Sequence, residues 1–272
     1  MLKLMYITND PSTALAAQAA GVDRIFVDLE TVGKALRQGG MDTVQSHHTI
    51  SDIHALRPVV TSSELLVRVN PIYPGSLEEI DAVIAAGADR LMLPFFQTSE
   101  QVETFLQAVN GRARTTLLFE TPESITHLDT ILSLPGIDEC FIGLNDLHLG
   151  YHRKFLFELL ADGTVESVCR RFAQAGKPYG FGGIARLGGG ALPAERILGE
   201  HTRLGSSAVI LSRSFCNTAQ IHDEAQIAAI FQEEVPKVRC CEARWNHASA
   251  SELEENHRFV QQAVQHIVEA MS

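Results

Sequence analysis

Eight short apolar runs, each followed by a stretch of helical character, constrain this chain more than any other feature. They are LMYITN, RIFVDLE, LLVRVNP, RLMLPFF, RTTLLFE, ECFIGLNDL, YGFGGIA and AVILSRSF. A helical crossover between two strands returns the chain to the same edge, so successive strands run parallel. The runs are nearly continuous in apolar residues, as expected of strands covered on both faces. The middle units recur about every 25 residues, a supersecondary period rather than a solenoid repeat. An open doubly wound sheet could be built from the same parts, but eight regular units favour closure. The expected fold is α/β, a (β/α)₈ TIM barrel in 272 residues.

Helix boundaries carry their usual chemistry. Asn9 or Asp10 can cap the helix that begins at Pro11 and stops at Gly21. Thr98 and Gln101 have capping-box spacing, and Thr121 with Pro122 marks another start. After Phe215 the pattern changes to extra helices. In the last of them Leu253, Val260, Val264, Ile267 and Met271 form one apolar stripe. The chain thus divides into a barrel over residues 1–215 and a helical extension over 216–272. That extension packs either on its own barrel or on a neighbouring subunit.

Charge and composition remove several function classes. A net charge of −11 argues against non-specific binding to nucleic acid or to an anionic membrane. No apolar run approaches the roughly 20 residues that span a bilayer. Asn9, Asp10 and Pro11 interrupt the N-terminal stretch too early for a secretory signal. Five cysteines without framework spacing, including the adjacent pair Cys240 and Cys241, fit reduced thiols and a cytoplasmic protein.

In such a barrel, chemistry collects at the C-terminal ends of the strands. Taken in order, those ends carry Asp28 and Glu30, Arg68 and Asn70, Glu120, Asn145 and Asp146, Gly182 and Gly183 with Arg186, then Ser212 and Arg213. Pro94, Phe95 and Phe96 end the fourth as an apolar wall. Two carboxylates on adjacent strand tips, Glu120 and Asp146, repel unless a cation lies between them, and one or two carboxylates plus water is how proteins hold Mg²⁺. Helix capping or pairing with arginine would explain the same residues. Arg68 offers a planar, permanently charged fork for a carboxylate, or else a partner for Asp28 or Glu30.

The stretch GFGGIARLGGGALPAER is the most glycine-dense in the chain. Its backbone could approach an anion closely, with the helix that starts near Pro193 adding free N–H groups. Alternatively it is a turn that holds no ligand. His47 and His48, in the irregular segment after the second strand, and His148 near Asp146 are candidate proton carriers. No zinc spacing and no Gly-x-Ser-x-Gly elbow occurs, and no strand tip carries the lysine of Schiff-base aldolases.

These strand ends resemble the HpcH/HpaI aldolase and citrate-lyase β-subunit family of the phosphoenolpyruvate/pyruvate barrel superfamily, from about Asp23 to Phe215. VRVNP matches the family's substrate arginine with Arg68. FETPES matches its first metal carboxylate with Glu120, and GIDECFIGLNDL its second with Asp146. The resemblance implies a (β/α)₈ barrel, homo-oligomers that often exchange the last helix, and cleavage of carbon–carbon bonds beside a 2-oxo acid or an acyl thioester. Two positions depart from the hydroxy-oxo-acid aldolase branch: Thr31 stands where it has histidine, and Leu118 where it has glutamine. VDLE is closer to the citrate-lyase-like branch, with Lys34 and Arg37 as candidates for its downstream basic pair.

The resemblance implies Mg²⁺ or Mn²⁺ on Glu120 and Asp146, acting as Lewis acid on pyruvate or a similar oxo acid, with Arg68 on the developing oxyanion. Asp28 and Glu30 would orient water or Arg68, and a metal-bound water or a histidine of the 47–48 pair, with His48 the candidate, would carry the proton. Gly183, Arg186, Ser212 and Arg213 would bind a distal phosphate or carboxylate. The rival readings are an acyl-thioester lyase and a metabolite-binding barrel without turnover.

Overall fold

The structure, a computed structural model, describes residues 1–32 and 48–271. Lys34, Arg37 and His47 lie outside the described residues. Strands β1 (Lys3–Ile7), β2 (Arg24–Asp28), β3 (Glu64–Arg68), β4 (Arg90–Leu93), β5 (Arg114–Phe119), β6 (Glu139–Ile142), β7 (Tyr179–Ile184) and β8 (Ala208–Leu211) pair in that order. They form one closed barrel, in which β8 pairs back with β1 and every pairing is parallel. The (β/α)₈ architecture expected from the eight runs is present.

The helices between strands begin where local chemistry starts them. Helix α1 (Pro11–Ala19) is capped by Asp10, whose carboxylate accepts the Thr13 N–H. Next come α2 (Ile50–Leu56), α3 (Ser76–Ala85) and α4 (Ser99–Val109), the last opened by the Thr98/Gln101 capping box. Thr121 caps α5 (Pro122–Thr126), and α6 (Leu128–Leu132) follows. After β6 lie α7 (Leu144–Gly150), α8 (Glu158–Ala161) and α9 (Thr164–Gln174). After β7 comes α10 (Ala194–Arg203), then α11 (Glu224–Asn246) and α12 (Ala250–Ala270) beyond β8.

Helix α11 packs against both α10 and α1, which makes it the eighth helix of the ring. The boundary read at residue 215 therefore falls between the last strand and its own helix. Helix α12 lies outside the ring, against α10 and α8 of the same chain. No helix of the described residues is long and apolar enough to cross a membrane.

Side chains on a strand alternate between its two faces, and this period orders the barrel interior into three layers. Met5, Phe26, Leu66, Met92, Leu118, Phe141 and Ala208 form an inner apolar cluster, separate from the larger core between sheet and helices. Two residues earlier on their strands stand Arg24, Glu64, Arg90 and Glu139. Two residues later stand Asp28, Arg68 and Glu120.

The lower layer is an ionic floor. Arg24 donates to both carboxylate oxygens of Glu139 at 2.6 and 2.8 Å and to Glu64 at 2.6 Å. Arg90 donates to Glu64 at 3.1 Å and to the Thr116 hydroxyl at 3.2 Å. Burial works against the Arg24 charge, but Glu139 and Glu64 outweigh it and hold its pKa above the ordinary value.

One buried group outside the barrel gives the fold a pH dependence. His201 of α10 stacks on Phe181 of β7 at 3.9 Å, with Nδ1 2.8 Å from the Ser206 hydroxyl. Burial pushes its pKa down from 6.5 to about 3. The unfolded chain takes up this proton below pH 6.5 and the folded one does not, so stability falls as pH drops. Between pH 7 and pH 5 the loss from this group is about 2 kcal/mol. Urea unfolding at the two pH values should show that loss, and His201→Leu should reduce it by a similar amount.

Candidate active site

The upper layer of the barrel holds an arginine gripped by two carboxylates. Arg68, at the end of β3, donates from Nε and Nη2 to the two oxygens of Asp28, both at 2.8 Å. The Glu30 carboxylate lies 3.2 Å from Nη1. The guanidinium also sits 5.8 Å above the Phe26 ring, in cation–π range. Asp28 and Glu30 are each 2% exposed. Burial would lower the arginine's pKa, but Asp28 and Glu30 more than offset this and raise it. Arg68 is thus a fixed, permanently charged donor, with two of its five N–H groups spent on Asp28.

Glu120 follows β5 and is buried. Its Oε1 accepts the backbone N–H of Phe95 at 3.0 Å. Phe95 reaches that position with φ +47°, a left-handed conformation uncommon for a bulky residue. Burial pushes the Glu120 carboxyl well above the carboxylate range. Arg68 opposes this, while Glu30 and Asp146 push it further up.

Asp146 is not on a strand. Strand β6 stops at Ile142, Gly143 turns the chain, and Asp146 stands in the first turn of α7. Backbone N–H groups at a helix start favour a negative charge there. The turn needs glycine for space: a Cβ on Gly143 would lie 2.7 Å from Glu120 Oε2 and 2.8 Å from its Cβ. Gly143→Ala should therefore displace the Glu120 carboxylate, and it should weaken the divalent-cation binding proposed below for Glu120 and Asp146 by roughly 10- to 100-fold, the scale of losses around metal ligands. Titration calorimetry with Mn²⁺ checks this, beside circular dichroism to confirm folding.

Of the three candidate histidines, the two among the described residues have opposite polarity. His48 Nδ1 accepts the backbone N–H of Asp28 at 3.0 Å, which places the ring proton on Nε2. In this arrangement His48 is a hydrogen-bond donor at Nε2 and not a base there. His148 Nδ1 lies 3.0 Å from the Leu144 carbonyl, which accepts its proton and leaves Nε2 as acceptor. On α7, however, residues two apart point about 200° apart, so His148 and Asp146 face different ways.

The proposed distal anion residues are more dispersed. Arg186 donates from Nε to the Phe215 carbonyl at 2.5 Å and so ties the loop after β7 to the loop after β8. Gly188 N–H donates to Glu195 in the first turn of α10, so a carboxylate of the chain itself occupies that glycine turn. Gly183 pairs with Ile210 across a bulge in β7. The Ser212 hydroxyl lies 2.8 Å from that of Ser214, and Arg213 is exposed. What the sequence reading missed was the Phe95 N–H, because a backbone donor leaves no residue signature.

Residues 3–200 match the family model described as HpcH/HpaI aldolase/citrate lyase. The chain belongs to this family. A curated relative, the 2-keto-3-deoxy-L-rhamnonate aldolase of Shigella dysenteriae serotype 1 (strain Sd197), is 28% identical over 178 residues. That match covers 53% of this chain and 66% of the relative, so the chain spans just under two thirds of the relative's length.

Among solved structures, an HpcH/HpaI aldolase/citrate lyase family protein from Burkholderia cenocepacia J2315 superposes with TM-score 0.61 at 17% identity. It covers 80% of this chain and 91% of its own. The HpcH/HpaI aldolase from Desulfitobacterium hafniense DCB-2 gives TM-score 0.59 at 16% identity, covering 78% and 86%. The citrate synthase SbnG gives 0.61 at 15% identity, covering 85% and 93%. At such identities these likenesses show the fold.

A divalent cation fits this family member's upper layer on chemical grounds. The buried Glu120 carboxyl feels two further carboxylates, Glu30 and Asp146, against one guanidinium that is already paired. A cation held by Glu120 and Asp146 would remove that repulsion. Among the described residues no group of three or more His, Cys, Asp or Glu side chains is placed to share a metal. The protein would thus supply two oxygen ligands, with water and substrate oxygens completing the shell, the pattern of Mg²⁺ or Mn²⁺ rather than zinc.

Proposed function

We propose that this protein is a divalent-metal-dependent carbon–carbon lyase of the aldolase type, acting beside the carbonyl of a 2-oxo acid such as pyruvate. The observation that carries this reading is the juxtaposition of the buried Glu120 and the half-buried Asp146 with an arginine held rigid by Asp28 and Glu30. The family membership and the curated aldolase relative support it.

Glu120 and Asp146 hold the cation, which supplies Lewis-acid polarisation of substrate carbonyl and carboxylate oxygens. Arg68 donates N–H groups to the keto oxygen, which gains charge as the carbon next to the carbonyl loses its bond to the departing aldehyde carbon and keeps the electron pair as an enolate. Because Asp28 and Glu30 fix the guanidinium before substrate arrives, it need not reorganise during the reaction. Neighbouring Leu118 closes the site from below as part of the inner apolar layer and excludes water from that side. His48, with its proton on Nε2, serves as donor to substrate or product. Arg213 and the loop around Gly183 are the proposed contacts for a distal anionic group, and Mg²⁺ or Mn²⁺ is the proposed metal.

Exchange of pyruvate C3 protons into deuterium oxide, followed by NMR, tests the chemistry without knowledge of the aldehyde acceptor. Exchange that requires Mg²⁺ or Mn²⁺ and is lost in Arg68→Ala is the expected result. Absence of exchange with every divalent metal would overturn this reading and favour cleavage of an acyl thioester.

A further inference from the structure

Asn70, two residues past the end of the arginine strand, sits at the centre of a hydrogen-bond hub. Asn70 Oδ1 accepts two successive backbone N–H groups, Thr31 at 2.8 Å and Val32 at 2.9 Å, with the Thr31 hydroxyl at 3.4 Å. Two consecutive N–H groups converging on one acceptor form a nest, a concavity that ordinarily receives an anion. Here a neutral amide oxygen fills it.

The other half of the amide is held just as firmly. Asn70 Nδ2 donates to both oxygens of Glu79, in the first turn of α3, at 3.1 and 3.2 Å. The Asn70 backbone N–H donates to the same carboxylate at 2.9 Å. Glu79 can only accept, so it forces the NH₂ group toward itself and the carbonyl toward Thr31 and Val32. The polarity of the whole hub is therefore set from α3.

The chain pinned by this hub is the one that leaves Glu30. Thr31 and Val32 follow it directly, and Glu30 contributes one of the two carboxylates on Arg68. The second, Asp28, takes Arg68 through two bonds of its own, and its Oδ1 also accepts the Glu30 backbone N–H at 3.2 Å, so the hub holds Glu30 from the side away from Asp28.

We infer that Asn70, oriented by Glu79, is a positioning residue that keeps Glu30 on the Arg68 guanidinium by locking the two backbone N–H groups after it. The inference rests on the proposed role of Arg68, but half of its test does not.

The test uses the full-length protein and four variants: Asn70→Ala, Asn70→Asp, Glu79→Gln and the double variant N70D/E79Q. Asn70→Asp keeps an acceptor for the nest but sets a second carboxylate against Glu79. Adding Glu79→Gln restores one donor and one acceptor between the two positions with their polarity reversed. Hydrogen–deuterium exchange of a peptide spanning residues 29–32 reads the hub without any assay of activity. Exchange there should accelerate at least about tenfold in Asn70→Ala and Asn70→Asp and return to near wild type in the double variant, as expected for local opening of a few hydrogen bonds. In metal-dependent pyruvate proton exchange, kcat should fall roughly 10- to 100-fold in the single Asn70 variants, the scale of a small misplacement of a catalytic group. The double variant should recover most of it, and Mn²⁺ affinity should stay within about twofold throughout, because neither metal ligand touches the hub.

Unchanged exchange at residues 29–32 in Asn70→Ala, or no recovery of protection in the double variant, would overturn the inference. Should pyruvate exchange be absent in wild type while the protection pattern holds, the hub stands and the function reading fails. Altered protection with unaltered kcat would overturn the link from Asn70 to Arg68.

Discussion

Replacing Glu120 with alanine is expected to lower metal-dependent pyruvate proton exchange by roughly a thousandfold. Lewis-acid polarisation contributes several kcal/mol to such reactions, and about 1.4 kcal/mol is a factor of ten. Glu120→Gln separates catalysis from stability. It keeps the acceptor for the Phe95 N–H but removes a charge that burial and the neighbouring Glu30 and Asp146 disfavour. The metal-free Glu120→Gln protein should therefore melt above metal-free wild type while remaining nearly inactive. Thermal melts in chelator, beside the exchange assay, read both effects. An active Glu120→Ala enzyme would remove this carboxylate from the mechanism.

Arg24→Ala is expected to destabilise the barrel by about 3–5 kcal/mol, since removing one partner of a buried pair leaves the other charge uncompensated. Arg24 and Glu139 are each 4% exposed and share two hydrogen bonds, and Glu64 loses one of its two arginine partners in the same variant. The double replacement Arg24→Met/Glu139→Leu should recover much of the loss, because apolar residues of similar volume often match a buried ion pair. Urea unfolding midpoints test this. A near-wild-type midpoint for Arg24→Ala would mean that the floor contributes little. Its distance from the upper layer, with the inner apolar cluster between them, predicts almost unchanged Mn²⁺ binding in any variant that folds.

Much of this was visible in the sequence, for a physical reason. A strand buried on both faces must end in polar residues where it meets solvent or a ligand, so Asp28, Arg68 and Glu120 stood out against apolar runs. The same rule places charges at the other ends of those runs, and Arg24, Glu64, Arg90 and Glu139 each occupy the first position of a strand. Their mutual pairing was not legible, because Arg24 and Glu139 are separated by 115 positions and meet only when the barrel closes. Asp146 was read as a strand tip, yet Gly143 ends the strand early and moves it to a helix start. Arg186 stood out by its glycine-rich setting, but the bond from its Nε to the Phe215 carbonyl was not legible. Side-chain type shows that a donor exists; only the fold shows which acceptor takes it.

Titration calorimetry with Mn²⁺ on the wild type and on Asp146→Ala is the most direct test of the proposed metal centre. One site per chain in the wild type, lost or weakened at least about a hundredfold in Asp146→Ala and tightened by pyruvate, is the expected result, since a directly ligating carboxylate matters at least as much as its supporting groups. Equal Mn²⁺ binding by the two proteins, or none by either with pyruvate present, would contradict it.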